Sequence, residues 1–372
     1  MVGSVKQRGS SWHYVIDIGR DEDGNRKQRY RGGFHTKKAA EEALRSFLNQ
    51  LDSGFLPEAE SLKFAEYMAR WMEHQSTQVE PMTMRRYETL ARLYLIPRLG
   101  HMQLGRIRPA HIQACLDNID RAPRTVQHVR GVASAAMRQA VAWQLIPLNP
   151  VVGTRAPKAE RPDLEVPTVE GAQKLMAVAE GTPWEMPMFL AAFTGARRGE
   201  VLAIDWDHLD LERGRVRIVR SLEKLDGEFR FKDPKTKRSR RDVALPRYAI
   251  DRLRSWKVAQ SERRLAAGPA WHDHGLVCER GDGSPIDPDS FSKAFKRLAR
   301  EAGVPKARLH DLRHAAATLM MERGVHPSVV SRSLGHASEA FTMAVYGHVR
   351  DEMLDQAAEA FGDAYGQTGR PT

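Results

Sequence analysis

Two pairs of polar residues stand at a spacing that would let each pair act on one ligand. The stretch TGARRGE contains Arg197 and Glu200, and the stretch HDLRH contains His310 and Arg313. Residues three positions apart lie on one face of a helix, so each pair presents its two side chains together. Taken singly, each pair also has an ordinary structural explanation: an exposed ion pair in the first stretch, and a core or capping histidine in the second.

The helix that carries Arg197 is predicted to open at Thr194 and Gly195. An arginine at the start of a helix is unusual, because the helix dipole favours anions there. The arrangement is understandable if Arg197 and the helix terminus both face a bound phosphate.

A strongly basic segment lies at residues 231–246, between two predicted strands. Its cations are Lys232, Lys235, Lys237, Arg238, Arg240 and Arg241. Such a hairpin repels itself unless a polyanion screens its charge, and each phosphate that it neutralises adds salt-dependent affinity. A solvated loop explains the charges one by one but not their concentration.

The segment LGHASEAFTMAVYGHV places His336 near Tyr346. A tyrosine hydroxyl titrates near pH ~10, so it attacks a phosphate only if its neighbours stabilise the phenolate or assist the leaving group. Arginine and histidine can neutralise the non-bridging oxygens, lysine can protonate the departing oxygen, and tyrosine can form a covalent ester. The set is therefore chemically complete as a metal-independent, reversible DNA strand-breaking site. No cofactor is expected, because neither an acidic cluster with metal-ligand spacing nor a Gly-rich phosphate loop accompanies it.

The composition indicates a negatively charged partner. The chain has 372 residues and a net charge of +11. A basic excess spread over a folded chain is typical of a phosphate-facing surface, although a generically basic protein has the same composition. Cys115 and Cys278 lie far apart in apolar contexts, so both are expected to be reduced. Neither a signal peptide nor a membrane-length apolar run is recognisable, which predicts a soluble protein of the cytoplasm.

The first of three sequence blocks, residues 1–56, is predicted to form a small three-stranded sheet followed by one helix. Apolar residues alternate in SWHYVIDI, which is strand periodicity, and Thr36 is a suitable N-cap for the helix. A very basic strand carries Arg26, Lys27, Arg29 and Arg31. These cations would either lay a ribbon into a DNA groove or form a solvated charged hairpin, and the block alone does not decide between the two.

The second block, residues 60–152, is predicted to be an all-α helical bundle. Start and stop signals indicate about four helices, one of which is expected to end at Pro97 and Gly100. Prolines become dense after this block, so residues 153–167 are predicted to be an interdomain linker. The third block, residues 168–365, is predicted to be a mainly α domain with a small antiparallel sheet. The whole chain is thus expected to be an α+β multidomain protein.

Taken in order, these motifs resemble those of the tyrosine recombinases, the phage integrase family. The resemblance spans almost all of residues 168–360, and the first two blocks are similar to the arm-binding and core-binding DNA domains of many integrases. It implies that the catalytic residues are Arg197, Lys235, His310, Arg313, His336 and Tyr346. Arg198 directly follows Arg197, but the spacing from the Thr-Gly dipeptide favours Arg197 as the active-site residue. Glu200 occupies the family's acidic position, where a supporting role behind the contact residues is expected.

The resemblance also implies a mechanism. Tyr346 attacks a phosphodiester and forms a 3′-phosphotyrosyl bond, and Lys235 protonates the leaving 5′ oxygen. A 5′-hydroxyl from a partner duplex then reverses the attack without ATP or metal. The expected partners are double-stranded DNA attachment sites, bound by a homo-tetramer, with DNA-bending accessory proteins as further candidates. Lys237 and Arg238 are expected to contact the DNA, and the protein is expected to serve a prophage or other mobile element in a bacterial cytoplasm.

Two other functions remain open at this point. A type IB topoisomerase uses similar chemistry but rejoins the same strand, and the arm-like first block argues against it. A DNA-binding regulator without catalysis would suit the composition and the basic segment, but it leaves the ordered catalytic set unexplained.

Overall fold

The computed structural model describes residues 3–20, 26–52, 61–159, 167–233 and 240–335. The chain divides into two compact units, Met1–Arg161 and Pro162–Thr372. The elements of the first unit are strands β1 (Gly3–Arg8), β2 (Ser11–Arg20) and β3 (Arg26–Phe34) and helices α1 (Lys37–Asp52), α2 (Phe64–Ser76), α3 (Pro81–Leu90), α4 (Ile96–Leu99), α5 (Pro109–Asp117) and α6 (Pro123–Ala142). The limits given above for the individual domains remain predictions.

The N-terminal part of the first unit is an antiparallel sheet of order β1-β2-β3, against which α1 packs. Strand alternation buries Tyr14 and Ile16, which form a small core with Phe47 of α1. Thr36 caps α1, since its Oγ1 accepts a hydrogen bond from the backbone N–H of Ala39 at 3.1 Å. The predicted small sheet with one helix is therefore confirmed.

Helices α2 to α6 have an apolar core of their own, which includes the buried Trp71. The helix that was predicted to end at Pro97 and Gly100 does end before Gly100, which is its C-cap, but Pro97 does not stop it. Helix α3 does not stop before Pro97 but continues through a π-helical segment, Ala91–Leu95, into α4, which contains this proline. A proline lacks an N–H and crowds the carbonyl four residues earlier. The wider π turn directly before it relieves that conflict, and the helix ends at Leu99.

The second unit is mainly helical. Its elements are α7 (Val169–Ala179), α8 (Glu185–Thr194), α9 (Arg198–Val201), β4 (Leu209–Asp210), β5 (Arg215–Ile218), β6 (Ser221–Leu225), β7 (Glu228–Lys232), β8 (Arg241–Ala244), α10 (Arg247–Ala267), α11 (Pro288–Glu301), α12 (Leu309–Glu322) and α13 (Pro327–Leu334). The predicted α+β class is confirmed. The strands form a three-stranded antiparallel sheet of order β4-β5-β8 and a separate hairpin of β6 and β7. None of the helices in the described ranges has the length and apolar composition that a membrane crossing requires.

The core of this unit holds α8 and α12 in place. Helix α8 is apolar on nearly every side and runs through the core. Helix α12 packs against it, and amphipathic α11 contributes Phe291, Phe295 and Leu298. The polar ends of α8 and α12 are thereby held at fixed positions next to each other.

We expect Leu298→Ala to lower the free energy of unfolding of the second unit by about 2–5 kcal/mol, because it leaves a cavity where the side chain was buried. Leu298 is 1% exposed, whereas Leu265 on α10 is 83% exposed. The matched change Leu265→Ala should alter the free energy by less than about 0.5 kcal/mol. Urea unfolding followed by circular dichroism distinguishes the two, and equal effects would contradict this account of the core.

Candidate active site

A sharp turn between α8 and α9 presents Arg197. Helix α8 ends at Thr194, and Gly195 follows in the left-handed conformation with φ 57° and ψ 21°. Thr194 and Gly195 therefore close one helix rather than open the next, and the sequence prediction was wrong here. Glycine is favoured at this place because a side chain strains left-handed backbone. The turn leaves Arg197 as the residue directly before α9.

The carboxylate of Glu200 is shared between two arginines. Its Oε1 lies 2.9 Å from Nη1 of Arg197, and its Oε2 accepts the backbone N–H of Arg197 at 2.8 Å. Oε2 also lies 2.8 Å from Nη2 of Arg241, on β8. The Glu200 and Arg241 side chains are 5% and 2% exposed, respectively, whereas the Arg197 side chain is 45% exposed. One guanidinium is therefore buried behind the carboxylate, and the other projects outward from it.

The electrostatics keep Glu200 ionised. Burial alone would raise its pKa, but the ion pair with Arg241 and the hydrogen bonds from Arg197 outweigh burial and hold the pKa below its ordinary value. The buried carboxylate thus compensates the buried guanidinium, a pairing that is costly to break from either side.

Arg198 points to a different part of the unit. Its Nη1 donates to Oδ1 of Asp289 at 2.9 Å and to Oγ of Ser292 at 2.8 Å, both on α11. Of the two adjacent arginines, Arg197 is the one that contacts Glu200.

Helix α12 brings Arg313 to the same turn. Arg313 is 3% exposed, and its Nη1 donates to the carbonyl oxygen of Gly195 at 2.9 Å. The start of α12 is held by Asp311, which accepts the backbone N–H of Arg308 at 2.8 Å and its Nη2 at 2.9 Å. The two candidate arginines are therefore joined through the backbone that separates α8 from α9.

His310 lies on α12 with an exposed side chain. Its ring stands edge-on to that of His314, with 4.9 Å between ring centroids. Protein atoms nonetheless cover part of the imidazole, and this desolvation lowers the pKa of His310. Protonated His314 and the guanidiniums of Arg313 and Arg197 lower it further, against a smaller opposing effect of Asp311. His310 is thus neutral at pH 7, in the field of both arginines.

The end of α13 meets these groups from a third direction. Nη2 of Arg197 donates to the carbonyl oxygen of Gly335 at 3.2 Å, and Nε of Arg241 donates to that of Ser333 at 2.8 Å. Gly335 directly precedes His336. Of the remaining predicted residues, five lie outside the described ranges: Lys235, Lys237, Arg238, His336 and Tyr346.

The described part of the chain thus brings four predicted residues to one place, namely Arg197, Glu200, His310 and Arg313. Sequence reasoning counted Arg241 only among the cations of the basic segment and missed its place behind Glu200. A signal was available: Arg241 is in phase with the buried Val243 and Leu245, so strand alternation turns it inward.

The predicted DNA-binding cations of the first block all lie on β3. Arg31 is exposed. For Arg26, Lys27 and Arg29 the structure describes the backbone but not the side chains. Among the described residues, no three histidine, cysteine or acidic side chains are grouped as metal ligands would be.

We expect Glu200→Gln to destabilise the protein by about 3–5 kcal/mol at pH 7, because it leaves Arg241 buried without its counter-charge. The pKa of Glu200 is lowered on folding, so its contribution is complete above about pH 4.3 and is lost as the pH falls through the folded-state value. The difference between wild type and variant should therefore shrink below about pH 4.

Urea unfolding at a series of pH values measures this difference. Glu262→Gln, at an exposed position on α10, is the matched control and should change stability by less than about 0.5 kcal/mol. A Glu200→Gln effect that stayed constant from neutral to acid pH would show that the charge of Glu200 is not what stabilises the site.

Three family models match the chain in succession. An arm DNA-binding domain matches residues 3–51, and the N-terminal SAM-like domain of phage integrases matches residues 63–118. The phage integrase family model itself matches residues 168–353, which is half of the chain. These matches include the turn with Arg197 and the helix with Arg313.

Whole-length relatives and solved structures agree with these matches. A tyrosine recombinase XerC-like protein of Caldanaerobacter subterraneus is 28% identical over 97% of this chain and 98% of its own length. An integrase of Streptomyces ambofaciens is 27% identical over 91% of this chain and 90% of its own length. The fold is similar to that of the Tn1549 transposon integrase in complex with a circular intermediate DNA, with a TM-score of 0.68, 16% identity, and coverage of 80% of this chain and all of that one.

A lambda integrase tetramer bound to a Holliday junction gives a TM-score of 0.58 at 19% identity, covering 90% of this chain and 96% of that one. These neighbours share the fold, and the family model shows the ancestry. The chain belongs to the phage integrase family, and its resemblance to the tyrosine recombinases is confirmed.

Proposed function

We propose that this protein is a site-specific DNA recombinase, an integrase that cleaves and rejoins DNA through a 3′-phosphotyrosyl intermediate. One observation carries the proposal: Arg197 and Arg313, from separate elements, are joined through the Gly195 turn beside His310, in a chain of a family whose members cleave and join DNA strands. A phosphate is the ligand that suits two guanidiniums and an imidazole.

We assign the chemical steps as follows. The phenolic hydroxyl of Tyr346 gives its proton to water as its oxygen bonds to the scissile phosphorus, the bond to the 5′ oxygen breaks, and Lys235 gives that oxygen a proton. Arg197 and Arg313 neutralise the non-bridging oxygens as charge grows in the transition state, and His310 and His336 complete this set of donors. Attack by a 5′-hydroxyl then releases Tyr346 and forms a new phosphodiester, so the bond energy is conserved throughout.

The neutral state of His310 fits this assignment. A neutral imidazole provides one N–H donor to a phosphate oxygen. The binding of a dianionic transition state beside it would raise its pKa, because a nearby negative charge favours the protonated form. The lowered pKa of the free enzyme thus leaves room for this rise during catalysis.

The proposed substrates are double-stranded DNA attachment sites. A cavity of about 880 Å³ between the β4-β5-β8 sheet and α13 is lined by Arg215, Arg217 and Arg332, among others, and such a lining suits DNA phosphates. Exchange between two duplexes breaks four strands, which calls for four protomers, and a lambda integrase tetramer on a Holliday junction shares this fold. Accessory proteins that bend DNA are proposed as further partners.

We propose four functional regions. Residues 1–56 would bind arm-type DNA sites through the basic strand with Arg26, Lys27, Arg29 and Arg31. Residues 60–152 would bind the core site, residues 153–167 would link the two units, and residues 168–365 would catalyse strand exchange. Lys237 and Arg238 would contact the core DNA near the scissile phosphate. Because relatives include an integrase of Mycobacterium phage L5, we propose that the DNA belongs to a prophage or other mobile element in a bacterial cytoplasm.

A nicked suicide duplex carrying a candidate attachment site, incubated in EDTA, tests the nucleophile. Wild-type protein should form a covalent adduct visible on a denaturing gel, and Tyr346→Phe should abolish it, because the variant lacks the phenolic oxygen that is proposed to bond to the phosphorus. Tyr365→Phe, in the same C-terminal segment, is the matched control and should retain the adduct. DNA binding by all three proteins without any adduct would instead support a regulator without catalysis.

A joining assay separates recombination from topoisomerase action. Two linear duplexes of different length, each with an attachment site, should yield products that combine the ends of both. Relaxation of supercoiled plasmid without any such joined product would support the topoisomerase alternative and contradict the proposed function.

A further inference from the structure

We propose that Arg241 is a positioning residue of the recombination reaction, which holds Glu200 and through it directs Arg197 toward the scissile phosphate. This inference rests on the proposed function. It starts from the shared carboxylate: Oε2 of Glu200 lies 2.8 Å from Nη2 of Arg241, and Oε1 lies 2.9 Å from Nη1 of Arg197. Arg241 therefore stands directly behind the group that orients Arg197.

Arg241 is placed to act through its neighbours because its side chain is almost entirely covered by protein. Its side chain is 2% exposed, against 45% for Arg197. An exposed arginine has many rotamers, so its orientation depends on fixed partners. The Glu200 carboxylate is such a partner only while its own rotamer is fixed, and Arg241 bonds to the oxygen that also accepts the backbone N–H of Arg197.

The same guanidinium links this pair to the end of α13. Its Nε donates to the carbonyl oxygen of Ser333 at 2.8 Å, and Arg197 donates to the carbonyl oxygen of Gly335 at 3.2 Å. The contacts thus form a closed ring that runs from Arg197 through Glu200 and Arg241 to Ser333, and back through Gly335. A displacement of Arg241 would move both Arg197 and the backbone that leads into His336.

Gly335 permits this close packing. It has a left-handed φ of 67°, and a Cβ at this position would lie 3.1 Å from Nη1 and 3.2 Å from Cδ of Arg241. Nε and Nη2 of Arg241 donate in two directions from one planar group. The single ammonium group of a lysine cannot reproduce both bonds at once, so Arg241→Lys should restore the charge but only part of the function.

The test compares single-turnover cleavage of two suicide duplexes, one with a normal scissile phosphodiester and one with an uncharged methylphosphonate there. The methylphosphonate lacks one of the two charged oxygens that the arginines neutralise, so a misdirected Arg197 should matter mainly for the normal substrate. We expect Arg241→Met to slow cleavage of the phosphodiester about a hundredfold and that of the methylphosphonate much less. For Arg241→Met, the ratio of the two cleavage rates should approach the ratio measured for Arg197→Met. For Arg241→Lys, this ratio should lie between those of Arg241→Met and the wild type.

Arg220→Met is a closely matched control. Arg220 donates Nε to the carbonyl oxygen of Ala203 at 3.2 Å, and its Nη2 lies 2.8 Å from Oδ2 of the buried Asp205. It has the same bonding pattern as Arg241 but pairs with a different carboxylate. Its loss should lower stability and leave the ratio of the two cleavage rates at the wild-type value.

The outcomes separate the inference from the proposed function. If Arg241→Met or, should that variant not fold, Arg241→Lys slows both substrates equally or neither, Arg241 is only structural and the inference is overturned. A variant is suitable for this comparison if it is folded, as judged by a circular dichroism spectrum like that of the wild type, and if its DNA affinity lies within about twofold of the wild-type value. If wild-type protein cleaves neither substrate while binding both, the proposed function itself fails, and the inference fails with it.

Discussion

The second unit depends on one buried carboxylate shared by two guanidiniums. An ionised glutamate in the protein interior is stable only if charged partners and hydrogen bonds replace the water that it loses. Arg241 provides the buried partner, and the backbone N–H of Arg197 provides a further bond. The remaining carboxylate oxygen then faces the Arg197 side chain, which is half in solvent. An internal requirement for charge balance thus determines where an exposed cation points.

Two left-handed glycines make this arrangement sterically possible. Gly195 ends α8 and offers its carbonyl to Arg313, and Gly335 ends α13 and offers its carbonyl to Arg197. Each turn exposes backbone carbonyls that a continuing helix would have used internally. The two candidate phosphate ligands are therefore held, before DNA binds, by carbonyl oxygens that are weaker acceptors than a phosphate.

Local sequence patterns predicted the element types and the contact between Arg197 and Glu200, because periodicity and three-residue spacing are properties of short segments. They failed where tertiary context decides. Thr194-Gly195 suits either end of a helix, and only the burial of α8 in the core assigns it to the end. Pro97 was expected to stop a helix that a π turn allows to continue. The role of Arg241 was not predicted, because its partner Glu200 lies 41 positions away. Local spacing does not reveal a contact at that separation.

The structure of the Tyr346→Phe variant bound to an intact core duplex would measure most directly how the two arginines meet the scissile phosphate. We expect the guanidiniums of Arg197 and Arg313 to bind the non-bridging oxygens of the same phosphate, with His310 beside them and the bond between Glu200 and Arg241 retained. A complex in which that phosphate lies away from both arginines, or in which Arg197 leaves Glu200 to reach it, would contradict the account.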